Sequence, residues 1–481
     1  MTITILGLGP GDPRHLTREA WETLTSASEI YLRTARHPTA AGLPASLAVH
    51  SFDHLYESAK AFEAVYEAIA AEVLALGARS EGVLYAVPGH PLVGEATVAL
   101  IRERAAGAGL PVKIIPGLSF VAPCLAALGY DALSGLAIAD ALDLAARHHP
   151  PFPPDTPALV AQLYSTDLAS EVKLTLMNQY PDEHEVALIH AAGTPDESVE
   201  RLPLYEIDRS PRIAHLTALF VPALPWPSAF ETFQNTIAHL RAPDGCPWDR
   251  AQTHRSLRSN LLEETYEVLA ALDAEDEAAM REEFGDLLLQ IVLQSQIAVE
   301  AGEFSLAEVI AGINEKIVRR HPHVFGDVKV NGVGDVLKNW EALKVEERNN
   351  KGEGERGLLE GIPPALPALA QAEAYSRRAA RVGFDWPELS GVIAKVREEM
   401  AEVQAATDAE SRADEMGDLL FAIANYARWL DVDPEAALRA ANAKFAARFA
   451  KVESAAKAAG RDMAAMSLEE LDALWEDAKV R

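Results

Sequence analysis

The chain has 481 residues, with 43 lysines and arginines against 72 aspartates and glutamates, and a net charge of −29. That excess of acid excludes non-specific nucleic-acid binding, which needs Lys and Arg to neutralise phosphates, but not small anionic substrates met by a local basic pocket or a bound metal. A hydrophobic fraction of 49% supports real cores, and the length predicts roughly two to four domains.

The two cysteines, Cys124 and Cys246, fit no CxxC zinc or redox spacing, as expected in a reducing compartment without a disulfide framework. The opening MTITILGLGPGD lacks the basic stretch and cleavage pattern of a signal peptide, and no apolar run has transmembrane length. The expected location is the cytoplasm, with no membrane or nucleic-acid partner.

Thr2 to Leu8 reads as a first strand ending in the tight loop Gly7–Asp12, and Thr17 caps a helix running to about Ala27. Strand-like apolar runs recur at Glu29–Leu32, Val83–Val87, Val112–Ile115, Pro157–Tyr164, Val186–Ile189 and His215–Val221. Helical stretches such as Ser58–Leu76 and Gly94–Ala106 lie between them. This alternation predicts an α/β domain with a substantially parallel sheet. Three Gly/Pro loops follow strands: Gly7–Asp12, Pro88–Gly94 and Pro116–Ser119. In open α/β sheets ligands bind beyond the carboxyl ends of strands, and glycine lets a ligand approach the backbone. One such loop is ordinary turn chemistry; three in one domain predict a ligand cleft.

GLGPGDPRHLT, YAVPGHPLVGEATV (Tyr85–Val98), IIPGLSFVAPCLAALG (Ile114–Gly129) and AGTPDESVERLPLYEI (Ala192–Ile207) together resemble the tetrapyrrole methylase family over residues 1–222. The resemblance implies two α/β subdomains with S-adenosyl-L-methionine in the cleft between them. It implies cofactor contacts from Pro10, Pro88, Gly89, His90, Val93, Ser119 and Phe120, and at later positions from Leu163 and Gly193. Gly89-His90-Pro91 stands where porphyrin-modifying members usually carry Gly-Asp-Pro, which leaves the methyl acceptor unknown. His90 is equally readable as a loop residue with no chemical task, and methyl transfer from a sulfonium needs alignment more than a strong acid. A cofactor-binding or regulatory module without transfer is the alternative reading of this half.

Pro222–Ser228 (PALPWPS) is a stiff linker, after which strand patterns stop. Phe230–Leu240 is an amphipathic helix, Ala242–Trp248 a turn, and helices separated by short turns follow from Arg255. Asn349–Pro367 reads as a second, mobile linker. Helices resume at Leu369–Val382 and Leu389–Ala405. The predicted domains are 1–222, 229–348 and 360–481.

Asn260–Gln290 predicts two helices that carry carboxylates toward each other. Glu264 and Glu267 lie about 60° apart on one helix face, and Glu283 and Asp286 repeat the step on the next helix. Apolar stripes run beside the acids: Val268, Leu269 and Leu272 on one helix, Phe284, Leu287, Leu288 and Ile291 on the other. Packing the stripes brings four carboxylates to one focus, where they repel one another unless a hard cation such as Mg²⁺ is held between them. The device recurs at Glu399, Glu402, Glu415 and Asp418. Asn314–Arg320 matches Asn442–Arg448, and Trp340–Lys344 matches Trp475–Lys479. Four segments in the same order indicate an internal duplication of about 120 residues. An acidic solvated face explains one such cluster alone, but less easily two that each abut an apolar stripe.

Lys316 and Arg320 share a helix face, as do Lys444 and Arg448. Lys344 and Lys479 each stand four residues after a tryptophan, Trp340 and Trp475. Acids, cations and an indole suit a nucleoside triphosphate, although packed indoles and solvated lysines are the commoner fate of these residue types.

LLEETYEV, EEFGDLLLQ, CPWDRAQTH and RRHPHVFGD, with EEMAEV, DEMGDLLFAIANYAR, NAKFAARF and LWEDAK, resemble the MazG family of nucleoside triphosphate pyrophosphohydrolases from about Phe230 to Arg481. The resemblance implies an all-α helical bundle that dimerises, needs Mg²⁺, and converts a nucleoside triphosphate to the monophosphate and pyrophosphate. It assigns Glu264, Glu267, Glu283 and Asp286, and Glu399, Glu402, Glu415 and Asp418, as metal ligands. Glu263 or Glu398 would take the proton from the attacking water. Neither copy lacks its carboxylates, so both an active pair and one structural copy remain open.

Overall fold

A computed structural model describes residues 1–58, 62–350 and 357–480. The chain divides into two compact units, Met1–Gly245 and Cys246–Arg481. The proposed linker Asn349–Pro367 falls partly outside the described residues. The helix Phe230–Arg241 goes with the first unit, where Thr232 Oγ1 donates to Asp155 at 2.6 Å.

The first unit holds two sheets. Strands β1 (Ile3–Gly7), β2 (Glu29–Leu32), β3 (Ala48–Ser51), β4 (Val83–Val87) and β5 (Val112–Ile115) form a wholly parallel sheet in the order β3-β2-β4-β1-β5. Both faces are covered. Ile3, Ile5, Tyr85 and Val87 pack against Ile69, Val73, Val98 and Ile101; Leu6, Ile30, Leu32, Ala86 and Ile115 pack against Leu24 on the other side. Burial on both faces is why these strands read as apolar runs. The covering helices are α1 (Arg18–Ser26), α2 (Asp53–Ser58), α3 (Phe62–Gly77) and α4 (Ala96–Ala108), and α5 (Val121–Leu128) follows β5. Thr17 caps α1 by accepting from the Ala20 amide at 3.2 Å.

The second sheet comprises β6 (Ala137–Asp140), β7 (Ala158–Ala161), β8 (Glu185–His190), β9 (Ser198–Pro203) and β10 (Thr217–Val221), ordered β6-β7-β10-β8-β9. Only β6 and β7 run parallel; the other pairs are antiparallel, so the expected parallel character belongs to the first sheet alone. Helices α6 (Ala141–Ala145) and α7 (Thr166–Leu176) pack over it, and α8 (Phe230–Arg241) ends the unit. Strands β3, β6 and β9 were not read from the sequence. They are edge strands with partly exposed side chains, and each is too short or too mixed in polarity to show as an apolar run.

The second unit is helical: α9 (Pro247–Ala251), α10 (Arg258–Asp273), α11 (Glu277–Ala301), α12 (Leu306–Arg320), α13 (Pro322–Phe325), α14 (Val333–Asn350), α15 (Ala368–Arg381), α16 (Leu389–Ala405), α17 (Ala409–Trp429), α18 (Pro434–Ala458) and α19 (Leu468–Val480). Two helical hairpins dominate, α10 on α11 and α16 on α17. Their turns are set by side-chain caps: Asp276 accepts from the Ala278 and Ala279 amides, and Asp408 from that of Ser411. Among the described residues, no helix is long and apolar enough to cross a membrane.

Candidate functional site

Three loops at the carboxyl ends of β1, β4 and β5 meet at one point. Gly9 and Gly89 pair through reciprocal backbone hydrogen bonds of 3.2 and 2.8 Å. A Cβ on Gly7 would come within 2.6 Å of both the Gly117 nitrogen and the Gly89 oxygen, so the crossing exists only because these residues have no side chain. Gly89 has φ +66° and, on its Cβ side, nothing within 4 Å.

That open side belongs to a cavity of about 510 Å³ between the two sheets, within the range of roughly 300–1,000 Å³ usual for small-molecule sites. Of the nine expected cofactor contacts, Pro10, Pro88, Gly89, Val93 and Phe120 line it. His90, Ser119, Leu163 and Gly193 do not. His90 Nδ1 accepts from the Leu92 amide at 3.1 Å, and Ser119 Oγ from the Val121 amide at 3.2 Å, so both side chains shape their own loops. Leu163 is fully buried in the core of the second sheet. Gly193 packs beside Pro123 and donates its amide to Glu197.

The cavity is also lined by polar groups that the sequence reading did not single out. Arg33 donates to Glu95 at 2.5 Å and to the Tyr56 hydroxyl at 3.0 Å; Asp53 accepts from Thr34 and from the Ala35 amide. His37 is buried, and its Nδ1 has no hydrogen-bond partner. Burial, then the neighbouring His215, lowers its pKa to about 4, so the imidazole is neutral. Arg33 follows β2 directly, and Asp53 opens α2, separated from the end of β3 by Phe52 alone. The rule that ligands sit beyond strand ends was a usable signal for Arg33, and was hidden for Asp53 because β3 itself was not read.

The second unit brings the acids together as their spacing predicts. Glu264, Glu267 and Glu283 each offer an oxygen, and these lie within 4.8 Å of one another; Glu399, Glu402 and Glu415 do the same. Asp286 and Asp418 stand outside these two triads. Asp286 nevertheless acts on Glu264, whose pKa is raised by desolvation first and then by Asp286 and Glu267. Desolvation and Glu267 raise Glu283; desolvation, Glu399 and Glu415 raise Glu402. Glu399 is 4% exposed, and its Oε2 has no hydrogen-bond partner. Converging oxygens that resist sharing charge, one of them buried and orphaned, fit a hard divalent cation. Glu263 is an exposed neighbour of the first triad, whereas Glu398 accepts from Lys395 at 2.9 Å. The apolar stripes are only partly covered: Val268 is buried, while Leu272, Phe284, Leu288 and Ile291 are exposed.

The basic residues form pairs of their own. Arg320 on α12 donates twice to Glu347 on α14, at 3.1 and 2.6 Å, and Lys344 lies over the Trp340 ring, 4.4 Å from its centroid. Trp475 on α19 packs on Phe445 of α18 at 5.1 Å, and Lys479 pairs with Glu476. Lys316 is half-buried, Lys444 is exposed and Arg448 is half-buried.

A glycine-built cleft between two α/β sheets, followed by two acid-focused helical hairpins, defines a two-part protein: an α/β domain with a cavity of small-molecule size and a helical unit with two convergent carboxylate triads. The chain belongs to the family that joins a tetrapyrrole (corrin/porphyrin) methylase domain to a MazG nucleotide pyrophosphohydrolase domain. The methylase model matches residues 2–208 and the MazG model residues 252–325, which include the first acid triad. The protein YabN of Bacillus subtilis (strain 168) is 44% identical over 491 residues, covering 99% of this chain and 98% of that one. The nucleoside triphosphate pyrophosphohydrolase/pyrophosphatase MazG of Thermotoga maritima is 44% identical over 250 residues, 52% of this chain and 95% of that one. A nucleoside triphosphate pyrophosphohydrolase of Escherichia coli (strain K12) is 45% identical over 249 residues, 50% of this chain and 94% of that one.

Proposed function

We propose that the helical unit is a Mg²⁺-dependent nucleoside triphosphate pyrophosphohydrolase, releasing pyrophosphate and a nucleoside monophosphate in the cytoplasm, and that the α/β unit binds S-adenosyl-L-methionine for transfer to an acceptor. The observation that carries the hydrolase reading is the convergence of three carboxylates within 4.8 Å, once in each copy. The relatives named as pyrophosphohydrolases support it.

Glu264, Glu267 and Glu283, and their counterparts Glu399, Glu402 and Glu415, would hold the cation, with Asp286 and Asp418 at the rim. A divalent cation bound there would supply Lewis-acid polarisation of phosphoryl oxygens and charge shielding for the leaving pyrophosphate. Glu263 or Glu398 takes the proton from the water that attacks the α-phosphorus. Lys316, Arg320 and Lys344, or Lys444, Arg448 and Lys479, neutralise the remaining phosphate charge, and Trp340 or Trp475 contacts the base or sugar. Arg320 must leave Glu347 to do so. Exposed apolar side chains on α11 and α12, among them Phe284, Ile291, Ile313 and Ile317, support a homodimer through the helical half.

The double variant Glu264→Ala/Glu399→Ala tests this reading: Mg²⁺-dependent pyrophosphate release from a panel of nucleoside triphosphates should be abolished, and undiminished turnover would end it. For the α/β unit, a specific observation favours a second reading, a cofactor-binding module without transfer. Two of its charged lining groups are already satisfied: Arg33 is paired with Glu95, and Asp53 accepts from the Thr34 hydroxyl and the Ala35 amide. Calorimetry with S-adenosyl-L-methionine followed by a methyl-transfer assay separates the two; binding without transfer selects the module.

A further inference from the structure

The two acid clusters share their triads but differ in what stands one helical turn before them. In the second copy, Lys395 lies four residues before Glu399 on α16. It reaches Glu399 at 2.7 Å and Glu398 at 2.9 Å. In the first copy the residue four before Glu264 on α10 is Asn260, which carries no charge. No ion pair reaches Glu264, Glu267, Glu283 or Asp286 among the described residues. One cluster is therefore bare and the other already holds a fixed positive charge against its most buried carboxylate.

We propose that Lys395 is a built-in cation of the second copy that competes with divalent ions for Glu399, so that the two copies fill at different free Mg²⁺ concentrations, the first before the second. The inference rests on the reading of the triads as divalent-cation sites. The geometry gives the sense of the effect. Glu399 spends one oxygen on Lys395, while its other oxygen is buried without a partner and can be satisfied only by a further donor or cation. An incoming ion gains this orphaned oxygen but must displace or share the ammonium, and it meets that ammonium's repulsion at close range. At the first triad no ion pair among the described residues has to be displaced, so an ion is taken up more tightly. Lys395 acts through Glu399 and is thus a positioning residue.

Mn²⁺ is a suitable probe, because free ion can be counted by electron paramagnetic resonance in the full-length, metal-stripped protein. With the first cluster silenced by Glu264→Ala, Lys395→Met should tighten the remaining Mn²⁺ binding about tenfold, and Lys395→Arg should leave it unchanged. With the second cluster silenced by Glu399→Ala, Asn260→Lys should weaken the remaining binding about tenfold. Lys395→Met binding Mn²⁺ no tighter than its parent, or Asn260→Lys binding it no more weakly, would overturn the proposal. Mn²⁺ binding untouched by both Glu264→Ala and Glu399→Ala would overturn it differently, by removing the metal-site reading beneath it.

Discussion

Arg33 donates to Glu95 at 2.5 Å, joining the loop after β2 to the cap of α4 at the wall of the α/β cleft. Glu95 is nearly enclosed, with Thr97 donating to its other oxygen at 2.7 Å and Tyr85 hydrogen-bonded to Thr97 in turn. Removing one partner of such a pair strands the other charge. Glu95→Ala should therefore cost the first unit about 3 kcal/mol in urea unfolding, and Arg33→Met/Glu95→Gln should cost less than the single change. A loss below about 1 kcal/mol would mean that solvent already screens the pair.

The glycine crossing should be intolerant of a single methyl group. In Gly117→Ala the new Cβ would meet the Gly89 oxygen at 2.3 Å, so the Pro88–Gly94 loop must move away from the cavity it lines. Overpacking of this kind costs about 1–3 kcal/mol. The expected readout is at least about a tenfold loss of S-adenosyl-L-methionine affinity by calorimetry with the fold retained by circular dichroism. Gly107→Ala, where nothing lies within 4 Å, is the matched control.

Cys124 also lines the cleft, yet its thiol is no nucleophile. Burial, then Glu197, pushes it up to about 12. At pH 8 the native protein should present Cys246, which is half-buried, to a thiol reagent well before Cys124, and unfolding should expose both. Mass spectrometry of the alkylated peptides would show the order.

Glu347 ties α14 to α12. Hydrogen bonding from Arg320 first, and from Arg319, holds its pKa down to about 2 from an ordinary 4.5. A carboxylate whose folded pKa is depressed stabilises the fold above its unfolded pKa and loses that contribution as pH falls through the folded value. Glu347→Gln should thus be less stable than the parent at neutral pH, and the gap should close between about pH 4.5 and 2. Chemical denaturation across that range measures it; a gap independent of pH would place the stabilisation elsewhere.

Ile313 and Ile317 lie one turn apart on α12 and are 45% and 42% exposed. If this face is shared between copies, Ile313→Asp/Ile317→Asp should convert a dimer to a monomer in sedimentation, with helical content preserved. An unchanged mass would move the interface off α12.

The sequence by itself determined whatever depends on spacing along one element. The start of α1 at Thr17, the strands Glu29–Leu32 and Val83–Val87, and the helix Leu389–Ala405 appear where they were expected. Glu264 with Glu267, and Glu399 with Glu402, also fall together, because residues three apart on a helix share a face whatever the rest of the chain does. Only the tertiary structure decided which groups from distant segments meet. It set Arg33 on Glu95, brought Glu283 and Glu415 onto the acid pairs of the preceding helices while leaving Asp286 and Asp418 outside the triads, and turned Arg320 toward Glu347. Helical periodicity is fixed by backbone geometry over a few residues. Contacts between elements depend on how loops close and cores pack, and no local pattern records that outcome.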